Sequence, residues 1–164
     1  MTFEEFVAEQ GAALLRLAFV LTSDRQLAED LTQTALADAY RHWGKVAAAR
    51  APEAYVRRML VNAHLSWRRR RWTTERPSVL DETSGAQVSD PGDAIAARQQ
   101  LRGLLAGLAP RARTVLVLRY YADLDDAAIA AAMGVTASSV RATASRALTS
   151  LRTVAVLDTA EENR

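Results

Sequence analysis

Six side chains able to do chemistry crowd into the stretch LDDAAIAAAMGVTASSVRATASRALTSLR, Leu124 to Arg152: Ser138, Ser139, Arg141, Thr143, Ser145 and Arg146. Hydroxyls and guanidiniums in this mixture form a short polar and cationic set that reaches phosphates and base edges in a major groove. To act together they must share one helix, and the apolar residues between them predict it. Val140, Ala144, Leu148 and Leu151 recur at steps of four, four and three and form its inward face. A preceding helix turns Ile129 and Met133 inward, with Asp125 or Asp126 accepting its orphan amide hydrogens. Gly134 closes that helix in the left-handed conformation, and Thr136 caps the next. Two helices joined by a tight turn make a helix-turn-helix, for which DNA is the first ligand to consider. An ordinary helical hairpin with a solvated face has the same local pattern, so the rest of the chain must decide.

Charge does much of that work. The net charge of +2 over 164 residues conceals strong segmentation. Residues 1–52 carry five bases and seven acids, whereas 53–76 carry seven Arg against Glu53 and Glu75. Residues 77–93 hold four acids and no base, residues 94–156 hold eight Arg against three Asp, and the last eight residues are again net acidic. Two basic modules flanking an acidic connection are the electrostatic footprint of phosphate contacts, which scattered charge would not be. Lys45 is the one lysine, so the cationic chemistry is almost wholly guanidinium, suited to bidentate phosphate and guanine contacts. Apolar content of 49% suffices for real cores. Without cysteine there is neither a disulfide framework nor a thiolate metal site. The opening MTFEEF carries acids where a secretory signal needs positive charge, and LLRLAFVL is too short to span a membrane. A cytoplasmic location is expected.

The elements that position these residues read as helices throughout, an all-α chain of two small domains. Thr2 and Glu5 have capping-box spacing and open a first helix through Phe6, Leu14, Leu17 and Leu21. Ser23, Asp24 and Gln26 start a second, with an apolar stripe of Leu27, Leu31, Ala35, Ala39 and Trp43, and Asp30, Gln33, Ala37 and Arg41 opposite; Gly44 is expected to stop it. Pro52 begins a third, carrying Tyr55, Val56, Met59, Leu60, Ala63 and Trp67 before an RRRR end. The Ser-, Thr-, Pro- and acid-rich TTERPSVLDETSGAQVSDPGD lacks apolar periodicity and reads as a linker. Beyond it, Ile95, Leu101, Leu104, Leu105 and Leu108 mark one helix, and Pro110 starts another through Val115, Leu118 and Tyr121. The expected division is 1–72 for the first domain, 73–93 for the acidic linker, 94–156 for the helix-turn-helix domain and 157–164 for a tail.

Three ordered stretches carry a family resemblance: LAEDLTQTALADAYRHW, PEAYVRRMLVNAHLSWRRRR and LAPRARTVLVLRYYADLDDAAIAAAMG with its recognition helix. Together they resemble bacterial RNA polymerase sigma factors of the extracytoplasmic-function group, and more narrowly an actinobacterial SigE-like subfamily, from Phe3 to about Arg152. The resemblance implies that the first domain binds core polymerase through its beta-prime and beta subunits and captures a melted minus-ten base, while the second reads the minus-thirty-five element as duplex. It places Asp30, Gln33, Thr34, Ala37 and Arg41 on the polymerase, with Thr34 standing where the family usually has an acid. Asn62 matches the asparagine that opens the loop holding a flipped minus-ten base, and an amide offers both donor and acceptor to a Watson–Crick edge. Arg68, Arg69, Arg70 and Arg71 spread around the helix end, where some meet phosphate and some only solvent. Tyr55, Trp67 and Trp72 have faces on which bases stack; helical spacing assigns Tyr55 and Trp67 to packing first and leaves Trp72 the better candidate, with Tyr55 retained beside the minus-ten set. Arg119, Ser138, Ser139, Arg141, Thr143 and Arg146 form the upstream-element set, and Ala142 and Thr143 replace a usual Ser and Arg. In the family the inter-domain connection threads a channel built for a polyanion, which four acids and no base suit. An anti-sigma factor is a further implied partner.

Enzymatic chemistry finds little support. His42 and His64 are the only histidines, they sit on different predicted helices, and no HExxH, Walker-type or glycine-rich nucleotide motif occurs. No cofactor, metal or catalytic residue is expected. The competing reading is a stand-alone helix-turn-helix regulator that dimerises through its N-terminal helices on a palindromic site. A helical adaptor without nucleic acid leaves both arginine clusters unexplained.

Overall fold

The computed structural model describes the backbone of residues 1–74 and 93–162 and the side chains of 1–71 and 96–155. The chain divides into two compact units, Met1–Ala86 and Gln87–Arg164. Of the expected acidic linker, Thr73 and Thr74 belong to a helix that continues from the first domain and Asp93 opens the next one, while residues 75–92 and the Trp72 side chain lie outside what is described.

The first unit contains α1 (Phe3–Thr22), α2 (Arg25–Arg41), the short α3 (Trp43–Ala47) and α4 (Pro52–Thr74). The predicted capping box is present: Thr2 Oγ1 accepts the Glu5 amide at 3.2 Å and Glu5 Oε2 accepts the Thr2 amide at 2.8 Å. Asp24 caps α2 by accepting the Leu27 amide at 2.9 Å. Helix α2 packs against both α1 and α4. Its buried positions are small, Ala28, Thr32, Ala35 and Ala39 around Leu31, which lets both neighbours approach closely. Phe6, Leu14, Leu17 and Leu21 of α1 and Val56, Leu60, Val61, His64 and Leu65 of α4 complete the core.

Two local expectations are corrected here. Gly44 does not stop the second helix; α2 ends at Arg41, and Gly44 lies inside α3. The His42 ring closes that end by bonding the Asp38 carbonyl at 2.9 Å through Nδ1. Trp43 therefore leaves the α2 stripe and packs edge-on against Phe3 (5.4 Å between ring centroids) and at a tilt against Phe6 (5.3 Å). On α4 the buried stripe includes Val61, His64 and Leu65, whereas Met59 and Ala63 are only half-buried.

The second unit contains α5 (Asp93–Ala106), α6 (Pro110–Tyr120), α7 (Asp126–Met133) and α8 (Ala137–Glu162). Helix α6 is its axis: Arg113 to Leu118 are buried without a break, and both α7 and α8 pack on it. Arg113 is the unexpected member. Its guanidinium turns back onto the C-terminal end of α5, donating to the carbonyls of Leu105 (3.0 Å), Ala106 (3.2 Å) and Leu108 (3.3 Å). The Leu105 and Ala106 carbonyls belong to the last turn of α5 and the Leu108 carbonyl follows it, so the same contacts satisfy a buried cation and cap a helix terminus. Burial pushes its guanidinium below the ordinary arginine value. The separate tail expected from Leu157 is instead a continuation of α8 through Glu162.

Candidate functional site

The helix-turn-helix is built as its local sequence dictates. Asp125 Oδ1 accepts the Ala128 amide at 2.7 Å and caps α7. Gly134 sits at φ +68°, and its amide and that of Val135 both bond the Ala130 carbonyl. Thr136 Oγ1 accepts the Ser139 amide at 3.1 Å and starts α8. Ile129 and Ala130 of α7 meet the buried face of α8, which comprises Val140, Ala144 and Ala147. Leu148 and Leu151, expected on that face, are only half-buried, and Ala147 takes the intervening inward position.

Around α8 the outward residues divide into two flanks. Ser138 and Ser145 lie along the solvent side, with Arg141 and Arg146 exposed to left and right of them, about 140° apart at 3.6 residues per turn. Ser139 and half-buried Thr143 share the Arg146 flank. Exposed Arg111 at the start of α6 joins them, its Nη2 lying 3.5 Å from Ser139 Oγ. Sequence reasoning missed Arg111, because the contact spans 28 positions. On the other flank stand Arg141, Arg119 and Asp126. Arg119 Nη2 donates to Asp126 Oδ1 in a short, partly buried ion pair, and Arg141 Nη1 lies 4.0 Å from the other carboxylate oxygen. Hydrogen bonding to Asp126 holds the Arg119 guanidinium above its ordinary value, against the opposing effect of burial. The structure thus brings Arg119 within one cluster with Arg141, but engaged by an acid.

In the first unit Asp30, Gln33, Thr34, Ala37 and Arg41 are all exposed and fall on one stripe of α2, opposite its buried face. Asp30 accepts from Gln26 Nε2 at 3.2 Å, Thr34 Oγ1 donates to the Asp30 carbonyl, and Arg41 pairs with Asp38 at 2.9 Å. Beside this stripe lies a shallow groove of about 780 Å³ between α1 and α2, lined by Phe3, Val7, Leu36 and Tyr40 together with Gln33 and Ala37. Tyr40 is 61% exposed and is steadied edge-on by Phe3 at 5.0 Å. Neither Phe3 nor Tyr40 was singled out from sequence, because their ring contact joins α1 to α2.

Asn62 is exposed, but no loop opens at it. Helix α4 runs unbroken from Pro52 to Thr74, because residues 53–74 contain neither glycine nor proline. Asn62 therefore presents its amide from a helix face, and Arg58 and Arg69 lie on the same exposed stripe. Tyr55 is half-buried. Trp67 is half-buried too, stacked by His64 at 6.5 Å and covered by the Arg71 guanidinium at 5.3 Å, which directs it to packing. Arg68 is half-buried, while Arg69 and Arg70 are exposed. Among the described residues no three His, Asp or Glu side chains converge to hold a metal ion, and no helix is long and apolar enough to cross a membrane.

Against known proteins, the family described as Sigma-70 region 2 matches residues 6–74, and that described as Sigma-70, region 4 matches residues 98–151. Proteins named RNA polymerase sigma-E factor are 39% identical in Streptomyces avermitilis and 38% in Streptomyces coelicolor. Each match runs over 152 residues and covers 93% of this chain, with 84% and 85% of the respective relatives. Among solved structures, the sigma factor RpoE of Bartonella quintana, crystallised with the anti-sigma factor NepR, superposes with a TM-score of 0.67 at 22% identity. That match covers 95% of this chain and 98% of the other, and at such identity it speaks for the fold.

Proposed function

This chain belongs to the sigma-70 family of RNA polymerase sigma factors, in its extracytoplasmic-function group, and from that premise we propose which of its surfaces performs each step of initiation. As a sigma factor it associates with RNA polymerase and directs promoter recognition, and its family is not one of enzymes. A dimeric helix-turn-helix regulator is not favoured, since region 2 occupies the helices that reading reserves for dimerisation.

On our reading the first domain, 1–72, docks core polymerase through Asp30, Gln33, Thr34, Ala37 and Arg41. The apolar groove beside them extends the same surface. Apolar side chains around exposed Tyr40, rimmed by polar and charged groups, are what a partner helix buries well. The stripe of Asn62, Arg69 and neighbouring arginines holds the melted minus-ten strand, with guanidiniums on phosphate and the amide on a base. Residues 94–156 read the minus-thirty-five duplex, inserting the N-terminal turns of α8 into the major groove with Ser138, Ser139, Arg141, Thr143 and Arg146 facing DNA, and Arg119 behind Arg141. The chain acts in the cytoplasm and has no catalytic activity of its own. An anti-sigma factor is a further partner, as NepR is for the Bartonella quintana protein.

The observation that carries this reading is the coexistence, in one chain and in order, of a coherent exposed α2 stripe and a recognition helix flanked by arginines. Run-off transcription tests it. Core polymerase with this chain is expected to produce discrete transcripts from a genomic promoter library that core alone does not. Identical products with and without the chain overturn the reading.

A further inference from the structure

The Asp126 carboxylate stands where the end of α6, the start of α7 and the recognition helix α8 meet. One oxygen accepts from Arg119, and the other lies 4.0 Å from Arg141. Asp126 is 22% exposed and Arg141 61% exposed, so the acid is largely sheltered while the guanidinium it faces reaches solvent. An acid at this spot has a local explanation as the first residue of α7, where the helix dipole favours negative charge. That explanation covers neither arginine, because the cap itself is Asp125.

We propose that Asp126 is a specificity-determining positioning residue for upstream-element recognition: it aims Arg141 at base edges and holds back the cationic field that would bind any duplex. This rests on the assignment of α8 to the major groove. Arg141 sits on the second turn of α8, and a bidentate guanine contact requires its planar fork to arrive in one orientation. An exposed arginine without an anchor samples many rotamers and meets phosphates as readily as bases. The sheltered carboxylate at 4.0 Å biases that choice, and it also subtracts one positive charge beside the DNA-facing helix. Arg119, tied to the same carboxylate, fixes where the carboxylate sits by joining α6 to α7.

Two effects of opposite sign follow. Asp126→Asn should weaken binding to the selected duplex through loss of aim. Binding to a scrambled duplex should stay level or tighten, because a negative charge is gone. A merely structural acid would weaken both together.

The test is a double-mutant cycle on the full chain bound to core polymerase, using a duplex selected by the wild-type holoenzyme from a pool randomised in the upstream element, and a scrambled duplex as reference. D126N is expected to lower the selected-to-scrambled affinity ratio about fivefold, the low end of what a bidentate contact discriminates. In an R141A background the same substitution should leave the ratio unchanged, because there is nothing left to aim. An equal loss of ratio in both backgrounds, parallel weakening of both duplexes, or an unchanged ratio in the D126N single variant overturns the proposal. If D126N loses its helical circular dichroism, D126E, which keeps the charge and the Arg119 pair but displaces the oxygens, enters the cycle under the same criterion of non-additivity with R141A. Failure of the wild-type holoenzyme to select any duplex overturns the promoter assignment instead.

Discussion

Replacing Arg113 by methionine removes the buried guanidinium that ties α5 to α6 while keeping a flexible stem of similar reach. Two effects oppose each other. Burial already pushes this guanidinium below its ordinary value, so its removal relieves a desolvation penalty. Against that, the carbonyls of Ala106 and Leu108 lose their charged donor, whereas the Leu105 carbonyl keeps the Leu108 amide at 3.1 Å. A buried acceptor left without its partner costs about 1 to 3 kcal/mol, so the two together cost roughly 2 to 6, and partial relief of desolvation leaves a net loss of about 3 kcal/mol. A unit of this size has only about 4 to 12 kcal/mol of stability, and such a loss lowers its midpoint by roughly 12 to 24 °C. The assay separates the units by chromophore. All three tryptophans, Trp43, Trp67 and Trp72, lie in the first unit, so their fluorescence reports it alone, while circular dichroism sees both. R113M should shift part of the dichroism transition downward and leave the fluorescence transition in place. A loss under about 1 kcal/mol, or a fluorescence midpoint that moves in step, would refute the assignment of Arg113 as the tie that holds α5.

Asp30→Arg with Gln33→Ala should weaken core polymerase binding at unchanged helical content, and equal affinity in a pull-down titration removes the α2 stripe from the interface. Asn62→Ala should leave closed complexes nearly normal while lowering open-complex yield, with a pre-melted bubble restoring part of the loss because it removes the few kcal/mol of unpairing. Permanganate reactivity of thymines at the start site reads this directly, and normal reactivity in the variant shows Asn62 to be only a helix-surface residue. Gly134→Ala meets nothing within 4 Å, so its cost is the left-handed backbone alone, about 1 to 2 kcal/mol in urea unfolding of the second unit. A neutral substitution means the turn relaxes to negative φ.

What could be read from sequence shares one physical property: it is decided within about four residues. The capping box of Thr2 and Glu5, the Asp125 cap, the left-handed Gly134 and the Thr136 cap each close on a neighbouring amide or carbonyl, so residue types at short spacing specify them. Helical period likewise places Asp30, Gln33, Ala37 and Arg41 on one stripe of α2. The same local logic misjudged Gly44, because Trp43 leaves α2 for Phe3 and Phe6, forty and thirty-seven positions away, and a glycine needs no left-handed conformation inside α3. It could not find that Arg113 faces inward to α5, that Arg111 reaches Ser139, or that one carboxylate serves both Arg119 and Arg141. An arginine reads as a solvated cation until a second helix supplies carbonyls or an acid at bonding distance. The sequence by itself therefore determined the longer helices, their side-chain N-caps, their order and the segmented charge. Only tertiary packing decided which cations remain available to DNA, because burial and long-range pairing depend on what the folded chain brings alongside them.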